Sequence, residues 1–352
     1  MKQKIVTAAG AAVLLMNVFA VPAAAQSSWG MGVTRTGSIV FCDRVRSTVW
    51  RIDSSGRRTA ALEGVSCRAV ATGLDGEVVG ESTPVDVTTT RGVGVWRLDA
   101  NGLTEWLMAP TLVPAPGVWI ARDATGRAYN WTGVGSGSAQ SAIVAQDPSG
   151  LHTDIAGGTR GNRDGFGRDA AFDNVTGLAA APDGSLLVID NGNIRRVHRT
   201  GLVTTEALGV VTDSHIGLIN APGLWAREIG IAADDRGEAV VVDPAAGRVV
   251  HIDRAGRAVS LWAPSGWSQR LTGGRWGWRP AGVALLGRTY YVVDEWVGPA
   301  VIADIVGSPR VMQVDDAGNV TRIASVPGWT ARIGGVLLLL VLLSLVVRRR
   351  RS

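Results

Sequence analysis

The chain of 352 residues contains almost no lysine and only two cysteines. Lysine occurs only at Lys2 and Lys4, so every later cation apart from histidine is an arginine. Neither Cys42 nor Cys67 has a metal-ligand partner at a useful spacing, which excludes a cysteine-based zinc site. In an exported domain the two cysteines leave two alternatives open, a Cys42–Cys67 disulfide or two buried free thiols.

Histidine is also scarce, and the sequence shows no recognisable set of catalytic residues. The four histidines are dispersed along the chain at His152, His198, His215 and His251. The string Asp213-Ser214-His215 brings three triad residue types together, but adjacent residues cannot adopt the relay geometry of a Ser-His-Asp triad. Catalytic residues therefore remain unassigned.

An excess of positive charge is missing from the central part of the chain. All 30 acidic residues lie between Gln26 and Ala331, whereas 7 of the 35 basic residues lie outside that range. The sequence pI near 9.8 is thus a property of the ends. Without a basic patch that releases phosphate counterions, nucleic acid is excluded as a partner.

The first 25 residues have the pattern of a cleaved secretory signal. Lys2 and Lys4 precede the apolar stretch Ile5–Ala20, and the small-residue site Ala23–Ala25 comes next. We therefore predict a signal peptide over residues 1–25 and export of the rest of the chain.

The C-terminal segment predicts a single transmembrane helix. After a short linker, residues 327–332, the apolar run Ile333–Val347 precedes Arg348–Arg351. The run would reach roughly 22 Å, short of a ~30 Å hydrocarbon core unless flanking residues join or the bilayer thins. The basic tail, residues 348–352, predicts a single-pass protein of the cytoplasmic membrane with its main domain on the periplasmic or extracellular side. The tail also resembles the sorting signals of bacterial surface proteins, so a permanent anchor and processing by a sorting protease are both open.

Between these ends one unit of apolar runs and tight glycine turns recurs six times, with a period of about 50 residues. The clearest copies are Gly177–Asp190, Gly230–Asp243 and Gly282–Asp294. The last turn of each copy is marked by a glycine, namely Gly56, Gly102, Gly150, Gly201, Gly256 and Gly318. Each copy supplies three apolar runs, and a fourth comes after the marker glycine. The pattern predicts an all-β fold, a six-bladed β-propeller with four-stranded antiparallel blades over residues 29–326.

Residues Ala156–Gly209 resemble the NHL-repeat family of six-bladed propellers. The similarity lies in the turn Asp164-Gly165, the pair Ala171-Phe172, the strand Leu186–Asp190 and the segment Asn193-Ile194-Arg195. Copies 5 and 6 match the core of the repeat, and copies 1 to 3 match only its rhythm of strands and turns. The resemblance implies the fold but no single activity, because the family includes protein-binding and RNA-binding scaffolds, receptor ectodomains, lyases and lactonases.

Loop lengths predict which face of the propeller binds. Connections between strands one and two, and between three and four, are short glycine turns, whereas the others are long and irregular. The richest long loop is Ala263–Pro280, which carries Trp267, Trp276 and Trp278 among arginines that include Arg275 and Arg279. This composition suits stacking on a sugar, a peptide or another protein, and equally suits packing between blades.

A second candidate set ends the second strand of each blade. Its members are Asp43, Glu81, Asn130, Asp190, Asp243 and Asp294. Their oxygens suit a hard divalent cation, and gluconolactonase-like propellers hold such an ion near the axis. The second strand is not the innermost one, however, and the residues equally suit capping of their own turns.

The sequence supports two functional expectations. The first is an exported, membrane-anchored propeller that binds a protein, peptide or glycan through its long-loop face without catalysis. The alternative is a metal-dependent lactonase or lyase at the mouth of the central channel, and a divalent cation is expected as a cofactor only in that case.

Overall fold

The computed structural model describes residues 31–34, 36–43, 46–72, 78–84, 94–98, 104–108, 121–123, 125–132, 141–212, 230–243, 245–263, 277–297, 309–315 and 319–325. These residues form an all-β propeller. The predicted signal peptide, the linker, the segment Ile333–Val347 and the basic tail lie outside the described residues. Within the described part of the chain, no helix has the length and apolar character needed to cross a bilayer.

The first half of the described chain forms three antiparallel sheets of four consecutive strands each. Sheet 1 contains β1 (Met31–Val33), β2 (Ile39–Asp43), β3 (Thr48–Ile52) and β4 (Arg58–Glu63). Sheet 2 contains β5 (Val65–Thr72), β6 (Val78–Pro84), β7 (Gly94–Leu98) and β8 (Thr104–Met108). Sheet 3 contains β9 (Ala121–Arg122), β10 (Ala128–Thr132), β11 (Ala142–Gln146) and β12 (His152–Gly157).

The connection after sheet 3 was expected to be irregular but contains three short strands. These are β13 (Thr159–Arg160), β14 (Gly165–Phe166) and β15 (Ala171–Phe172). β13 pairs in parallel with β15, and a three-residue 3-10 turn, Gly167–Asp169, separates β14 from β15. The strands arise because Arg195, in the next sheet, binds the backbone of this segment.

Three further sheets complete the propeller. Sheet 4 contains β16 (Val175–Ala180), β17 (Leu186–Asp190), β18 (Asn193–Val197) and β19 (Leu202–Ala207). Sheet 5 contains β20 (Ile231–Ala233), β21 (Ala239–Asp243), β22 (Arg248–Ile252) and β23 (Ala258–Trp262). Sheet 6 contains β24 (Gly277–Leu286), β25 (Thr289–Val297), β26 (Arg310–Val314) and β27 (Val320–Ser325).

The prediction that every blade has four strands is wrong for sheet 4. Five sheets have four strands, whereas sheet 4 has five, in the order β14-β19-β18-β17-β16. The fifth strand forms because Gly165 and Phe166 pair with Val203 and Leu202 at the outer edge of β19. An outer edge strand presents unpaired backbone groups, and this pairing satisfies part of them.

The first strands of the sheets contact one another around the axis. β1 contacts β5 and β24, β20 contacts β16 and β24, and β9 contacts β5 and β16, which links the sheets in a closed cycle. Among the described strands, those of sheet 1 and sheet 6 pair only within their own sheets. Side-chain packing rather than a shared sheet therefore closes the ring, with Met31, Val33 and Phe41 against Ala281 and Val293.

The hydrophobic core is divided into layers between neighbouring sheets. Sheets 1 and 2 share one layer, sheets 3 and 4 a second, sheets 4 and 5 a third, and sheets 5 and 6 a fourth. The second strands of sheets 1, 4 and 5 are buried on both faces, which explains why β17 (LLVID) and β21 (AVVVD) read as continuous apolar runs rather than alternating ones.

The short turns have the predicted glycine chemistry. Four of the marker glycines are described, and each has a positive φ: Gly56, Gly150, Gly201 and Gly256. At Gly256 a Cβ would also lie 2.2 Å from the carbonyl oxygen of Glu206 in sheet 4. Because neighbouring strands are antiparallel, all these turns emerge on one face, which we call the short-turn face. The opposite side is the long-loop face.

Candidate functional site

The residues that end the second strands are engaged in local hydrogen bonds. Asp43 accepts hydrogen bonds from the Arg46 backbone N–H at 3.1 Å, from Arg46 Nη1 at 2.9 Å and from Trp50 Nε1 at 3.1 Å. Asp243 accepts from Thr212 Oγ1 at 2.7 Å and from Arg248 Nε at 3.2 Å. Both carboxylates are buried, and each accepts hydrogen bonds from the turn that follows its strand and from a nearby arginine.

The corresponding residues of sheets 3 and 4 also accept hydrogen bonds. Asp190 Oδ1 accepts the backbone N–H groups of Asp173 and Asn174, and its Oδ2 accepts Arg195 Nη1 at 2.8 Å. Asn130 Oδ1 accepts the N–H of Trp131 at 2.6 Å. The side chain of Glu81 lies outside the described residues. For the described members of this set, the structure favours the turn-capping interpretation over a shared cation.

Asp294 differs from the other members because one of its oxygens is unsatisfied. Arg310 donates Nε and Nη2 to Oδ2, at 2.8 and 2.5 Å, while Oδ1 is buried and has no hydrogen-bond partner among the described residues. Burial raises the pKa of Asp294 to about 7, against the opposing charge and hydrogen bonds of Arg310. The carboxyl group anchors Arg310 at the start of β26.

The hairpin of sheet 6 extends past this anchor on the long-loop face. Pro280 pairs with Asp294, and beyond that pair Trp278 lies opposite Trp296. The two rings meet edge to face, with centroids 5.8 Å apart and planes at 81°. The guanidinium carbon of Arg310 lies 3.7 Å from the centroid of the Trp278 ring. We call Trp278, Trp296 and Arg310 the rim cluster.

The rim cluster lies at the end of sheet 6 on the long-loop face, and its Trp278 is at the start of an inner strand. β24 belongs to the inner ring of strands, because it contacts both β1 and β20. Trp296 is buried, whereas Trp278 is half-buried. Edge-to-face packing and the cation–π contact hold the Trp278 ring in place, which lowers the entropy cost of presenting it to a ligand.

The structure corrects the position of two predicted binding residues. Trp278 and Arg279 lie in β24 rather than in a long loop, because the strand begins at Gly277 instead of Gly282. Trp267, Trp276 and Arg275 lie outside the described residues. Trp296 and Arg310, which contact the Trp278 ring, are not among the predicted binding residues. The sequence did contain one indication of this cluster. Trp296 lies two residues after Asp294, where the strand was expected to end, and β25 continues to Val297.

Cys42 is fully buried in β2 and is disulfide-bonded. The chain has one other cysteine, Cys67, which lies in β5 and whose side chain is outside the described part. β2 and β5 contact each other between sheets 1 and 2. A disulfide at this seam would stabilise the ring by roughly 3 kcal/mol in the chain-entropy model.

The short-turn face carries a cleft of about 340 Å³ between sheets 3 and 4. Tyr129, Arg127, His198 and Arg199 are among its lining residues. The Tyr129 hydroxyl donates a 2.7 Å hydrogen bond to Asp123 Oδ2, and burial together with this carboxylate raises the pKa of Tyr129 to about 12. The phenol is therefore a hydrogen-bond donor at neutral pH and not a general base.

No protein-family model and no curated protein sequence matches the chain. Solved structures share its fold at low identity. A protein of unknown function from Bacteroides thetaiotaomicron is 13% identical with a TM-score of 0.50, over 76% of this chain and 66% of that chain. A catalytically inactive virginiamycin B lyase from Staphylococcus aureus is 14% identical with a TM-score of 0.45, over 87% and 86%. A gluconolactonase from Xanthomonas campestris is 13% identical with a TM-score of 0.48, over 78% and 84%.

These comparisons assign no activity to this chain. Membership in the NHL-repeat family stays a prediction, as does the sorting signal.

Proposed function

We propose that the protein is a membrane-anchored, exported β-propeller that binds a protein, peptide or glycan at the long-loop end of its channel. The observation that supports this proposal is the rim cluster. A half-buried Trp278 is fixed by Trp296 on one side and by Arg310, itself anchored to Asp294, on the other. Preorganised tryptophan and arginine side chains are typical of binding hot spots.

The alternative of a metal-dependent lactonase or lyase receives less support. Asp43, Asp190 and Asp243 would have to release an arginine or backbone N–H groups before their oxygens could hold a cation. Breaking such buried contacts costs several kcal/mol. The enzyme hypothesis therefore stays a prediction, because the described carboxylates at the ends of the second strands already hold other partners.

Replacing Trp278 with alanine is expected to abolish ligand binding while the propeller stays folded. The full-length chain, purified in detergent, is applied to a printed glycan array and separately to a printed peptide array. We expect selective retention of the wild-type chain on at least one array and loss of that signal, by at least about tenfold, in Trp278→Ala.

Trp50→Ala is the matched control for this experiment. Trp50 is also half-buried, and Arg58 lies over its ring at 4.7 Å, but it belongs to β3 rather than to the inner ring. This variant should retain binding. Equal binding by Trp278→Ala and the wild type, or no selective binding on either array, would contradict the proposal.

The anchor is a separate part of the proposal and rests on the sequence of residues 333–352 alone. Truncation after Ala331 is expected to release soluble protein outside the cytoplasm, because the apolar run and its arginine stop are removed. Cell fractionation with an antibody against the propeller measures the distribution. Recovery of the truncated chain in the membrane fraction would argue against the anchor.

A further inference from the structure

Sheet 5 differs from sheets 1, 2 and 4 at one position of the repeat. In sheets 1, 2 and 4 an arginine of the third strand pairs with the second residue of the second strand: Arg51 with Val40, Arg97 with Val79 and Arg196 with Leu187. The corresponding residue of sheet 5 is His251, which pairs with Val240. An arginine cannot ligate a metal, whereas an imidazole is a common ligand.

The residue before the second strand also differs between these sheets. Ser38 and Ser185 occupy this position in sheets 1 and 4, and each accepts a hydrogen bond from the arginine of its own sheet, at 3.1 and 2.6 Å. In sheet 5 the position is Glu238. In sheet 2 this position is Glu77, so among sheets 1, 2, 4 and 5 only sheet 5 combines a glutamate here with a histidine on the third strand.

Asp234 is the third potential metal ligand of this group. His251 Nε2 lies 3.1 Å from Glu238 Oε2 and 3.4 Å from Asp234 Oδ2. One ligand atom from each of the three side chains lies within 4.8 Å of the other two. Asp234 is buried, while the side chains of Glu238 and His251 are 15% and 20% exposed, so solvent reaches the group.

The turn that carries both carboxylates is fixed independently of the histidine. Asp234 Oδ1 accepts the backbone N–H groups of Arg236 and Glu238, at 3.0 and 2.7 Å, which leaves Oδ2 facing His251. Arg196 of sheet 4 donates to the carbonyl oxygen of Gly237 at 2.6 Å, and Arg254 donates to that of Arg236 at 2.9 Å. The arginines around this turn therefore bind its backbone.

The two carboxylates lack the arginine partners seen elsewhere in the propeller. Within the described part of the chain, neither Asp234 nor Glu238 forms an ion pair with an arginine, and His251 is their shared partner. Arg254 bonds instead to Asp183 Oδ2 at 2.7 Å. Burial, and after it the negative charges of Asp234 and Asp235, raise the pKa of Tyr290 in the adjacent sheet 6, against the opposing positive charges of Arg236 and Arg288. Among the described side chains, His251 is therefore the group that faces both carboxylates.

We propose that Asp234, Glu238 and His251 form a binding site for a divalent first-row transition metal, with Zn²⁺ as its representative ion. One imidazole and two carboxylates form a three-ligand set of the kind that leaves a coordination position for water or another ligand. The site lies on the short-turn face, at the opposite end of the sheets from the rim cluster. It is therefore independent of the proposed binding function.

Calorimetric titration of the full-length chain with Zn²⁺ tests the proposal. After removal of bound metal with a chelator, the wild-type chain should bind one equivalent through this site. We expect His251→Gln and Glu238→Gln each to weaken that binding by at least about tenfold, since each removes one of three ligands. Zn²⁺ should also raise the melting temperature of the wild type and not that of His251→Gln, because the ion binds only the folded site.

His198→Gln is the matched control. His198 lies just beyond β18 in sheet 4, where its Nε2 contacts Thr204 Oγ1 at 3.1 Å, and its replacement should leave Zn²⁺ affinity unchanged. Melting curves without metal establish that each variant is folded. The proposal is overturned if the wild type shows no stoichiometric binding, if His251→Gln binds Zn²⁺ as tightly as the wild type, or if His198→Gln loses binding equally.

Discussion

Replacing Arg195 with methionine is expected to lower the free energy of unfolding by about 3–5 kcal/mol. Arg195 is fully buried in β18, and its guanidinium joins two parts of the chain. Nη1 donates to Asp190 Oδ2 at 2.8 Å and to the carbonyl oxygen of Ala171 at 2.7 Å. Methionine fills a similar space but leaves the buried Asp190 carboxylate without its counter-ion, which is the costly element of the change.

The remaining contacts of Arg195 explain why the effect should extend to the segment before sheet 4. Nη2 donates to the carbonyl oxygen of Arg163 at 2.7 Å and to Asp164 Oδ1 at 2.9 Å, and the guanidinium carbon lies 4.6 Å from the centroid of the Phe172 ring. Asp164 in turn accepts the backbone N–H of Thr205 at 2.7 Å. Loss of the guanidinium should therefore release β13 to β15 and speed amide hydrogen exchange between residues 159 and 172 before the rest of the propeller opens.

Urea unfolding monitored by tryptophan fluorescence measures the loss of stability. Arg160→Met is the matched control, because Arg160 forms its ion pair with Asp173 at the surface and should cost less than about 1 kcal/mol. Arg195→Lys keeps the charge but cannot make the planar, forked contacts and should resemble Arg195→Met more than the wild type. An Arg195→Met variant as stable as Arg160→Met would refute this account of the segment.

The second large effect is expected at the contact between Trp96 and Gly80. Trp96 is fully buried in β7, opposite Gly80 in β6, and packs in the layer between sheets 1 and 2. A Cβ at position 80 would lie 2.0 Å from the indole ring. Gly80→Ala must therefore displace the ring, with an expected loss of about 1–3 kcal/mol. Trp96→Ala leaves a cavity instead and should cost about 3–5 kcal/mol.

A double-mutant cycle distinguishes this steric explanation from a loss of backbone freedom. Trp96→Leu removes the ring, so adding Gly80→Ala to that variant should cost at least about 1 kcal/mol less than adding it to the wild type. The stabilities come from urea unfolding of all four proteins. Additive effects of the two substitutions would show that the indole does not limit the residue at position 80.

The sequence alone determined the class of fold and the rhythm of its strands. Apolar runs of four to six residues, separated by glycine turns and repeated six times, correctly predicted an antiparallel propeller and the positions of turns such as Gly56 and Gly256. These features are local. Strand length, turn conformation and repeat period depend on residues close together in the sequence, so they can be predicted from it directly. The polar ends of the second strands were identified for the same reason.

Only the tertiary structure decided what the polar residues do. Arg195 and Arg196 are adjacent in sequence and both buried, yet one binds the segment before sheet 4 and the other binds Gly237 of sheet 5. The partners of Trp278 and His251 likewise come from other strands or from a turn. Successive side chains of a strand point to opposite faces, and each face meets a different sheet. A contact of that kind depends on how sheets are placed around the ring, which no local pattern encodes.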